Sequence, residues 1–320
     1  MADKLSLDRS FLLAAGFEAL VYGFFFCIFG ATMIIHFSSR YTSRFDRQSN
    51  VMIITSSIMF IIATIHLATN WYRVLIAYVG DDSNQGGAVT FLGRLTPWHR
   101  VLTDTLYPTQ ENLGGAAAIY RTWILWDRDW RLIILPSFML IANVVAEVNI
   151  LVLYVTADPT TVIFDGRLNS WIRSFFSIVV ALNIITTGLM GYRLWSTHRK
   201  SSRYITERSK LIEVLRIFLE SAALQLVTQI ILLALYSVHN NAQNLLLESS
   251  VPIVGITFNA IAIRIRLHLI GSQAAANDHV DTIGSMPMRR VQIQVTTQRS
   301  VDNDEVEVEV PSRKSGYSVA

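Results

Sequence analysis

The sequence has little charge and almost no cysteine. Of its 320 residues 16% are charged, against about 25% in a typical soluble domain, and 52% are hydrophobic. Cys27 is the single cysteine, which excludes an internal disulfide and a thiolate metal cluster. No Asn-x-Ser/Thr acceptor occurs in the chain, so we expect no N-glycosylation.

Lysine is also scarce, and the four lysines all lie outside the long apolar runs. A retinal protein needs a lysine within a membrane-spanning helix for its Schiff base, so that class is excluded. Among the histidines only His66 lies deep in an apolar run, which argues against an intramembrane zinc hydrolase. No GxSxG, HExxH or phosphate-binding glycine loop is present. We therefore expect no enzymatic activity, no cofactor and no metal. We also expect no nucleic-acid partner, because the basic residues cluster between the apolar runs.

Long apolar runs separated by short polar stretches are what the sequence has in abundance, a pattern typical of polytopic membrane proteins. We predict an all-α fold, with a seven-transmembrane helix bundle over residues 11–270, a short N-terminal segment over 1–10 and a disordered tail over 271–320. The predicted spans cover 11–35, 51–79, 101–126, 132–155, 172–195, 211–238 and 245–265.

The third span is the least apolar of the seven. It contains Asp104, Glu111 and Arg121 beside a Gly/Ala patch at 114–118. Such a helix cannot face lipid all round, because each charge there costs at least about 2.5 kcal/mol, so we predict that it is the central helix of the bundle. Its length of about 39 Å is ample for a hydrocarbon core of about 30 Å. If it does not cross, six spans remain.

The orientation follows from the lysines and arginines of the short connections. With seven spans, most of them fall in 36–50, 127–131 and 196–210, on one side of the membrane. This side is predicted to be cytosolic, which places the N-terminus outside and the C-terminus inside. A six-span arrangement with both termini inside satisfies the same rule. We expect the plasma membrane rather than an internal one.

Polar residues gather at two depths of the predicted bundle. The outer set could form a solvated ligand pocket, or its members could only pair and pin helices together, for example Arg73 with Asp104 and His66 with Glu111. The outer set consists of Glu18, His66, Asn70, Arg73, Asp104, Glu111 and Glu147.

The inner set suggests a tie between spans three and six, from Arg121 to Glu220 or Glu213. Such a tie could be a switch that opens when the cytosolic halves of the helices part. It could also be a permanent structural pair, or Arg121 could extend to lipid phosphates. The inner set consists of Arg121, Glu213, Arg216, Glu220 and Arg264.

Several stretches resemble a large family of seven-pass membrane proteins of mushroom-forming (basidiomycete) fungi, which carries no assigned activity. They are TIHLATNWYRVLIAY in span two, LGGAAAIYRTWILWDRDW in span three, IFLESAALQ in span six and PIVGITFNAIAIRIRL in span seven. The resemblance implies the architecture and no function. The matching residues are His66, Asn70, Arg73, Asp104, Gly114, Tyr120, Arg121, Trp123, Trp126, Glu220, Gly255 and Arg264.

The general layout is similar to that of G-protein-coupled receptors, although their motifs are missing. Tyr120-Arg121-Thr122 is not the Asp/Glu-Arg-Tyr triplet, and span seven has no Asn-Pro-x-x-Tyr. Our first hypothesis is a receptor-like protein that senses a ligand of unknown identity in the outer set and engages a cytosolic protein through 196–210 and 271–320. A small-solute transporter or channel is the alternative, and a membrane scaffold or lipid sensor is a third.

Overall fold

The structure, a computed structural model, describes residues 7–39, 47–79, 87–93, 97–156, 166–201, 208–238 and 240–285. It describes the backbone alone at 8, 38–39, 47–49, 87, 166, 194, 197–201, 208–221 and 265–285. Within these residues the chain forms eight α-helices, one turn of 3-10 helix (Trp130–Leu132) and no strand. The helices are α1 Leu7–Ser39, α2 Arg47–Val79, α3 Gly87–Gly93, α4 Trp98–Leu125, α5 Ile134–Thr156, α6 Gly166–Ser201, α7 Arg208–Ser237 and α8 Gln243–Ser285.

The chain divides into two compact units, residues 1–275 and 276–320. The first unit contains the helix bundle. Of the second, the structure describes only a helical backbone over 276–285. The inner-set side chains of Glu213, Arg216 and Glu220 lie outside the described part of the chain, as does the rest of the predicted tail.

Five of the helices are long and apolar enough to cross a membrane: Arg9–Phe37, Asn50–Val79, Ile134–Thr156, Arg167–Arg193 and Gln243–Arg264. The polar helix α4 is not among them. In α7 the described apolar stretch, Ala222–Ser237, is shorter than a span. The all-α fold is confirmed, and these helices indicate a helical membrane protein.

The distribution of side chains in the bundle is the reverse of that in a soluble protein. Large apolar side chains face outward, with Leu20, Phe24 and Phe138 between 66% and 70% exposed. Charged side chains face inward, and Glu18 and Arg73 are at most 2% exposed. An apolar exterior matches lipid, whereas the buried ionisable groups need partners inside the protein.

The long helices alternate in direction, so the bundle has two ends. At the Ser10 end, Asn244 at the start of α8 donates a hydrogen bond to Ser10 Oγ of α1, and Arg100 at the start of α4 lies over the ring of Phe11. At the Trp126 end, the indole N–H of Trp126 donates to the carbonyl of Leu189 on α6.

Helix α4 contacts every other long helix of the bundle. Its Gln110 amide donates to backbone carbonyls of α2 and α8, at Met59 (3.5 Å) and Val251 (3.2 Å). Glu111 accepts from Gln229 of α7, Asn112 donates to α5, and Trp126 donates to α6. Arg100 meets α1. The structure thus surrounds α4 with protein, as its charged sequence predicts.

The connection from α4 to α5 explains the sharp reversal of the chain. The N–H of Arg128 donates to the carbonyl of Trp123, and the N–H of Asp127 donates to that of Ile124, the pair of bonds that closes a Schellman motif. Asp127 and Arg128 take positive φ angles of 55° and 65°, since this cap needs a left-handed residue and the sequence offers no glycine there.

Most helices extend a few residues beyond the predicted spans, and two departures are larger. Residues 80–99 are predicted as one connection, but they contain α3 and the first turn of α4, which begins at Trp98. Leu92 of α3 is buried against Phe11 and Ala77, and a helix this short leaves no periodicity to detect. At the other end α8 continues to Ser285, into the predicted tail.

Candidate functional site

A buried cluster at the Ser10 end joins α1, α2 and α8 through His66. The Nδ1 atom of His66 lies 2.6 Å from Glu18 Oε1, and its Nε2 atom lies 3.3 Å from Glu248 Oε2. All three side chains are at most 3% exposed. The ring therefore stands between two carboxylates, one on each edge.

Asn70 completes this cluster one helical turn beyond His66 on α2. Its Nδ2 atom donates to Glu18 Oε2 at 2.8 Å and to Glu248 Oε2 at 2.6 Å. Its Oδ1 atom accepts from Arg73 at 3.2 Å. The spacing i, i+4 and i+7 that placed His66, Asn70 and Arg73 on one helix face thus becomes one hydrogen-bonded network.

Glu18, His66 and Glu248 carry the kinds of atom that bind metal ions, and one ligand atom from each lies within 4.8 Å of the others. The hydrogen-bond contacts of these side chains argue against a metal ion at this place. Each ring nitrogen of His66 already faces a carboxylate oxygen, so both edges of the ring are occupied by hydrogen-bond contacts. The two N–H groups of Asn70 point at both carboxylates, where a cation would have to sit. The residues fit a proton-sharing network better than a metal centre.

A second ion pair lies nearby on α4. Arg100 Nε donates to Asp104 Oδ2 at 2.6 Å, and both side chains are at most 9% exposed. The guanidinium groups of Arg100 and Arg73 lie 5.6 Å and 5.2 Å from the centre of the Phe11 ring. Asp104 therefore takes Arg100 of its own helix as its ion-pair partner, where the sequence suggested Arg73.

His99 lies beside these arginines, at the start of α4 and outside the predicted spans. Burial, with the nearby charges of Arg73 and Arg100, lowers the pKa of His99 to about 4. His99 is therefore neutral at pH 7, and it adds no third positive charge to the Arg73 and Arg100 pair.

Glu111 and Glu147 lie apart from the His66 cluster. Glu111 accepts from Gln229 of α7 at 2.8 Å, and Gln229 accepts from Asn183 of α6 at 2.6 Å. His66 has Glu18 and Glu248 as neighbours, in place of the suggested Glu111.

On α5, Glu147 faces α4 rather than another charged side chain. One of its carboxylate oxygens accepts from Asn112 Nδ2 at 2.5 Å, and the other accepts from Thr109 Oγ1 at 3.3 Å. Asn143, also on α5, donates to Asn112 Oδ1. Among the described residues, the hydrogen-bond partners of the Glu147 carboxylate are therefore neutral side chains.

A cavity of about 650 Å³, counting its open mouth, lies at the Ser10 end between α4, α5, α6, α7 and α8. Its polar lining comes from Arg100, Asp104 and Glu147, with Gln243 and Asn244 from the start of α8. Aromatic and aliphatic side chains line the remainder. Two residues of the predicted outer set, Asp104 and Glu147, line the cavity, whereas the residues of the His66 cluster do not.

A second cavity of about 470 Å³ surrounds Arg121 at the Trp126 end. Asn183 and Gln225 line it, and the Arg121 guanidinium lies 4.1 Å from the centre of the Phe258 ring. The predicted partners of Arg121, Glu213 and Glu220, have side chains outside the described residues. Arg264 is half-buried near this end, and its Nη1 atom meets no hydrogen-bond partner among the described residues.

The predicted outer set thus separates into three groups: the His66 cluster, the cavity lining, and the Glu111–Gln229 contact. Glu248 belongs to the first group, although it was not among the predicted site residues. A signal was present, because Glu248 is an ionisable residue near the outer end of a predicted span, at the depth of Glu18. Gln229 was missed because an uncharged residue in an apolar run gives no comparable signal.

The fold and its inward-facing polar groups indicate a helical membrane protein with a cavity near the Ser10 end. No protein-family model, no curated protein and no solved structure matches the chain.

Proposed function

We propose that the chain is a receptor-like protein of the plasma membrane. It has seven spans, with the N-terminus outside the cell and the tail in the cytosol. A small molecule binds in the cavity at the Ser10 end and alters the packing of α4, α7 and α8. This conformational change reaches a cytosolic protein partner at the Trp126 end. The chain performs no chemistry on its ligand. Membership of the fungal seven-pass family is part of this proposal.

The cavity at the Ser10 end carries the proposal. Five helices form its walls, and polar side chains of three of them, α4, α5 and α8, face its space. It lies toward the end that the charge rule assigns to the outside, away from the basic connections. Its lining combines a few polar groups with a large apolar surface, which is the composition of a site for an organic ligand.

The surroundings of α4 support the seventh span. A helix with buried Arg100 and Glu111 can lie in a membrane only where other helices cover it. Six long helices contact α4, and its small residues allow a close approach. A Cβ atom on Gly114 would lie 2.8 Å from Val254 of α8, and one on Gly115 would lie 3.0 Å from Leu182 of α6.

The same close packing favours a receptor over a transporter. Gly114 lines the second cavity, where Val254 of α8 is packed against it, and Leu182 of α6 and Leu140 of α5 close the space beside Gly115. A receptor needs such a closed middle, because its ligand stays on one side of the membrane.

One observation favours the transporter as a second candidate. The contacts from Glu111 to Gln229 and from Gln229 to Asn183 form a polar chain, and Asn183 lines the second cavity. This chain runs from beside the first cavity toward the Arg121 pocket. If it opens alternately to the two sides, the protein carries a solute.

Thiol accessibility separates the two candidates. In a background without Cys27, Leu151→Cys places a thiol in the first cavity and Thr187→Cys places one in the second. We expect a membrane-impermeant thiol reagent to label Leu151→Cys only from outside and never to reach Thr187→Cys from that side. Leu20→Cys, on the lipid-facing surface, is the unreactive control. Labelling of either cavity from both sides would instead identify a transporter.

A further inference from the structure

Four aromatic rings form a continuous wall along the cavity at the Ser10 end. The ring centres of Tyr107 and Phe175 lie 6.1 Å apart, those of Phe175 and Phe176 lie 5.7 Å apart, and those of Phe176 and Tyr236 lie 5.5 Å apart. All four side chains line the cavity. The negative faces of such rings attract organic cations, and aromatic walls are a recurrent way to bind ammonium groups.

The charged groups of the cavity do not balance one another. Arg100 and Asp104 neutralise each other at 2.6 Å. Glu147 also lines the cavity, and its hydrogen-bond donors, Thr109 and Asn112, are neutral. Among the described residues no lysine, arginine or histidine nitrogen lies within 4.0 Å of its carboxylate. Glu147 is therefore the carboxylate of the lining that has no cationic partner among the described residues.

An unbalanced charge in a buried site is costly, and a ligand of opposite charge removes that cost. The site does not suit a bare metal ion, because Glu147 is the one carboxylate of the lining without a cationic partner, and the aromatic wall offers no ligand oxygen beyond phenol groups. It suits a cation that carries its own apolar body.

We propose that the cavity binds an organic monocation, an amine or a quaternary ammonium compound with an aromatic or aliphatic body. The ammonium group contacts Glu147, and the body lies against the wall of Tyr107, Phe175, Phe176 and Tyr236. The Nη1 atom of Arg100 and the Oε1 atom of Gln243 are buried without hydrogen-bond partners in the described structure. They can hydrogen-bond to a polar substituent of the ligand. This ligand class rests on the proposed function, since it names the ligand of the same cavity.

A matched pair of probes tests the charge requirement. The full chain in lipid nanodiscs is titrated with 2-phenylethylamine and, separately, with 2-phenylethanol, which is similar in shape but uncharged. Binding is followed by saturation-transfer NMR of the probes. We expect millimolar binding of the amine and binding of the alcohol weaker by roughly ten- to a hundredfold, because the charge–charge and cation–π contacts are lost. Equal binding of the two probes, or no binding of either, would overturn the assignment.

Three variants locate the interaction. Glu147→Gln keeps hydrogen-bonding atoms for Asn112 and Thr109 but removes the charge, and we expect it to abolish the preference for the amine. Glu147→Asp keeps the charge and should keep the preference. Asp129→Asn removes an acidic residue in the connection after α4, far from the cavity lining, and should leave both probes unaffected. An unchanged preference in Glu147→Gln would show that Glu147 is not the counter-charge.

A further readout separates this inference from the proposed function. In the background without Cys27, an environment-sensitive fluorophore is attached to Ala222→Cys, which lies on α7 beside the second cavity. Amine binding that shifts its emission supports both proposals. Selective amine binding with no shift in emission keeps the ligand class and contradicts the receptor. A shift in emission with equal binding of amine and alcohol keeps the receptor and contradicts the ligand class.

Discussion

Asn70 is the side chain on which the His66 cluster depends at the scale of single residues. Its one amide satisfies two carboxylates with its N–H groups and one guanidinium with its oxygen. The contacts reach three helices, because Glu18 is on α1, Glu248 is on α8, and Arg73 is on α2 itself. These side chains are buried, so the loss of a donor leaves a carboxylate oxygen without its hydrogen bond.

We predict that Asn70→Asp destabilises the bundle by about 3–5 kcal/mol, because it replaces two donors by a third buried carboxylate without adding bulk. Asn50→Asp makes the same change in the first turn of α2, where a negative charge is tolerated, and should leave stability within about 0.5 kcal/mol of the original. Denaturant unfolding in detergent measures both. Equal stability of the two variants would show that the amide hydrogens of Asn70 do not hold the cluster together.

The sequence predicted the members of this site better than their pairing. His66, Asn70 and Arg73 share a face by helical spacing alone, so their proximity followed from geometry along one helix. The partners of His66 depend on how α1 and α8 are rotated against α2, and that rotation comes from packing between helices. Depth along a span therefore suggested Glu111, whereas rotation brought Glu18 and Glu248 to the ring.

At the scale of the helices, glycines set how closely neighbours pack. Gly255 of α8 faces Phe25 of α1, which is fully buried. A Cβ atom at Gly255 would come within 3.0 Å of three atoms of the Phe25 ring. Gly188 of α6 has no heavy atom within 4 Å of its Cβ position. These two glycines thus have opposite roles in similar helices.

We predict that Gly255→Ala costs about 1–3 kcal/mol, since the enclosed ring has little room to move. Gly188→Ala should be neutral or gain up to about 1 kcal/mol from helix propensity. Thermal unfolding in detergent compares them, and Phe25→Leu combined with Gly255→Ala should recover part of the loss. A harmless Gly255→Ala would mean that α1 and α8 are less closely packed than the structure has them.

The helices themselves were largely predictable, because apolar runs of span length leave few alternatives. The central place of α4 was predictable from its charges, which cannot face lipid. The short helix α3 was not, since a single buried leucine holds it against α1 and α2. The bounds of α8 also exceeded the prediction, because a helix continues past the apolar run when nothing breaks it.

At the scale of the whole molecule, the number of membrane spans depends on α4. Five helices have the length and the hydropathy of membrane spans. Helix α4 is long enough but is too polar to meet the same hydropathy criterion. Its neighbours make up for this, because its charged and amide groups meet α1, α2, α5, α6, α7 and α8 instead of lipid. A helix enclosed in this way has the same environment as a span in the middle of a bundle.

The topology of the termini tests this directly. We predict that an epitope tag placed before Met1 is reached by antibody in intact cells, while a tag after Ala320 is reached only after permeabilisation. An odd number of spans puts the two ends on opposite sides, and the basic connections hold the tail in the cytosol. If both tags need permeabilisation, the number of spans is even. The cavity at the Ser10 end would then face the cytosol, so the receptor proposal would fail, although amine binding at Glu147 could still be measured.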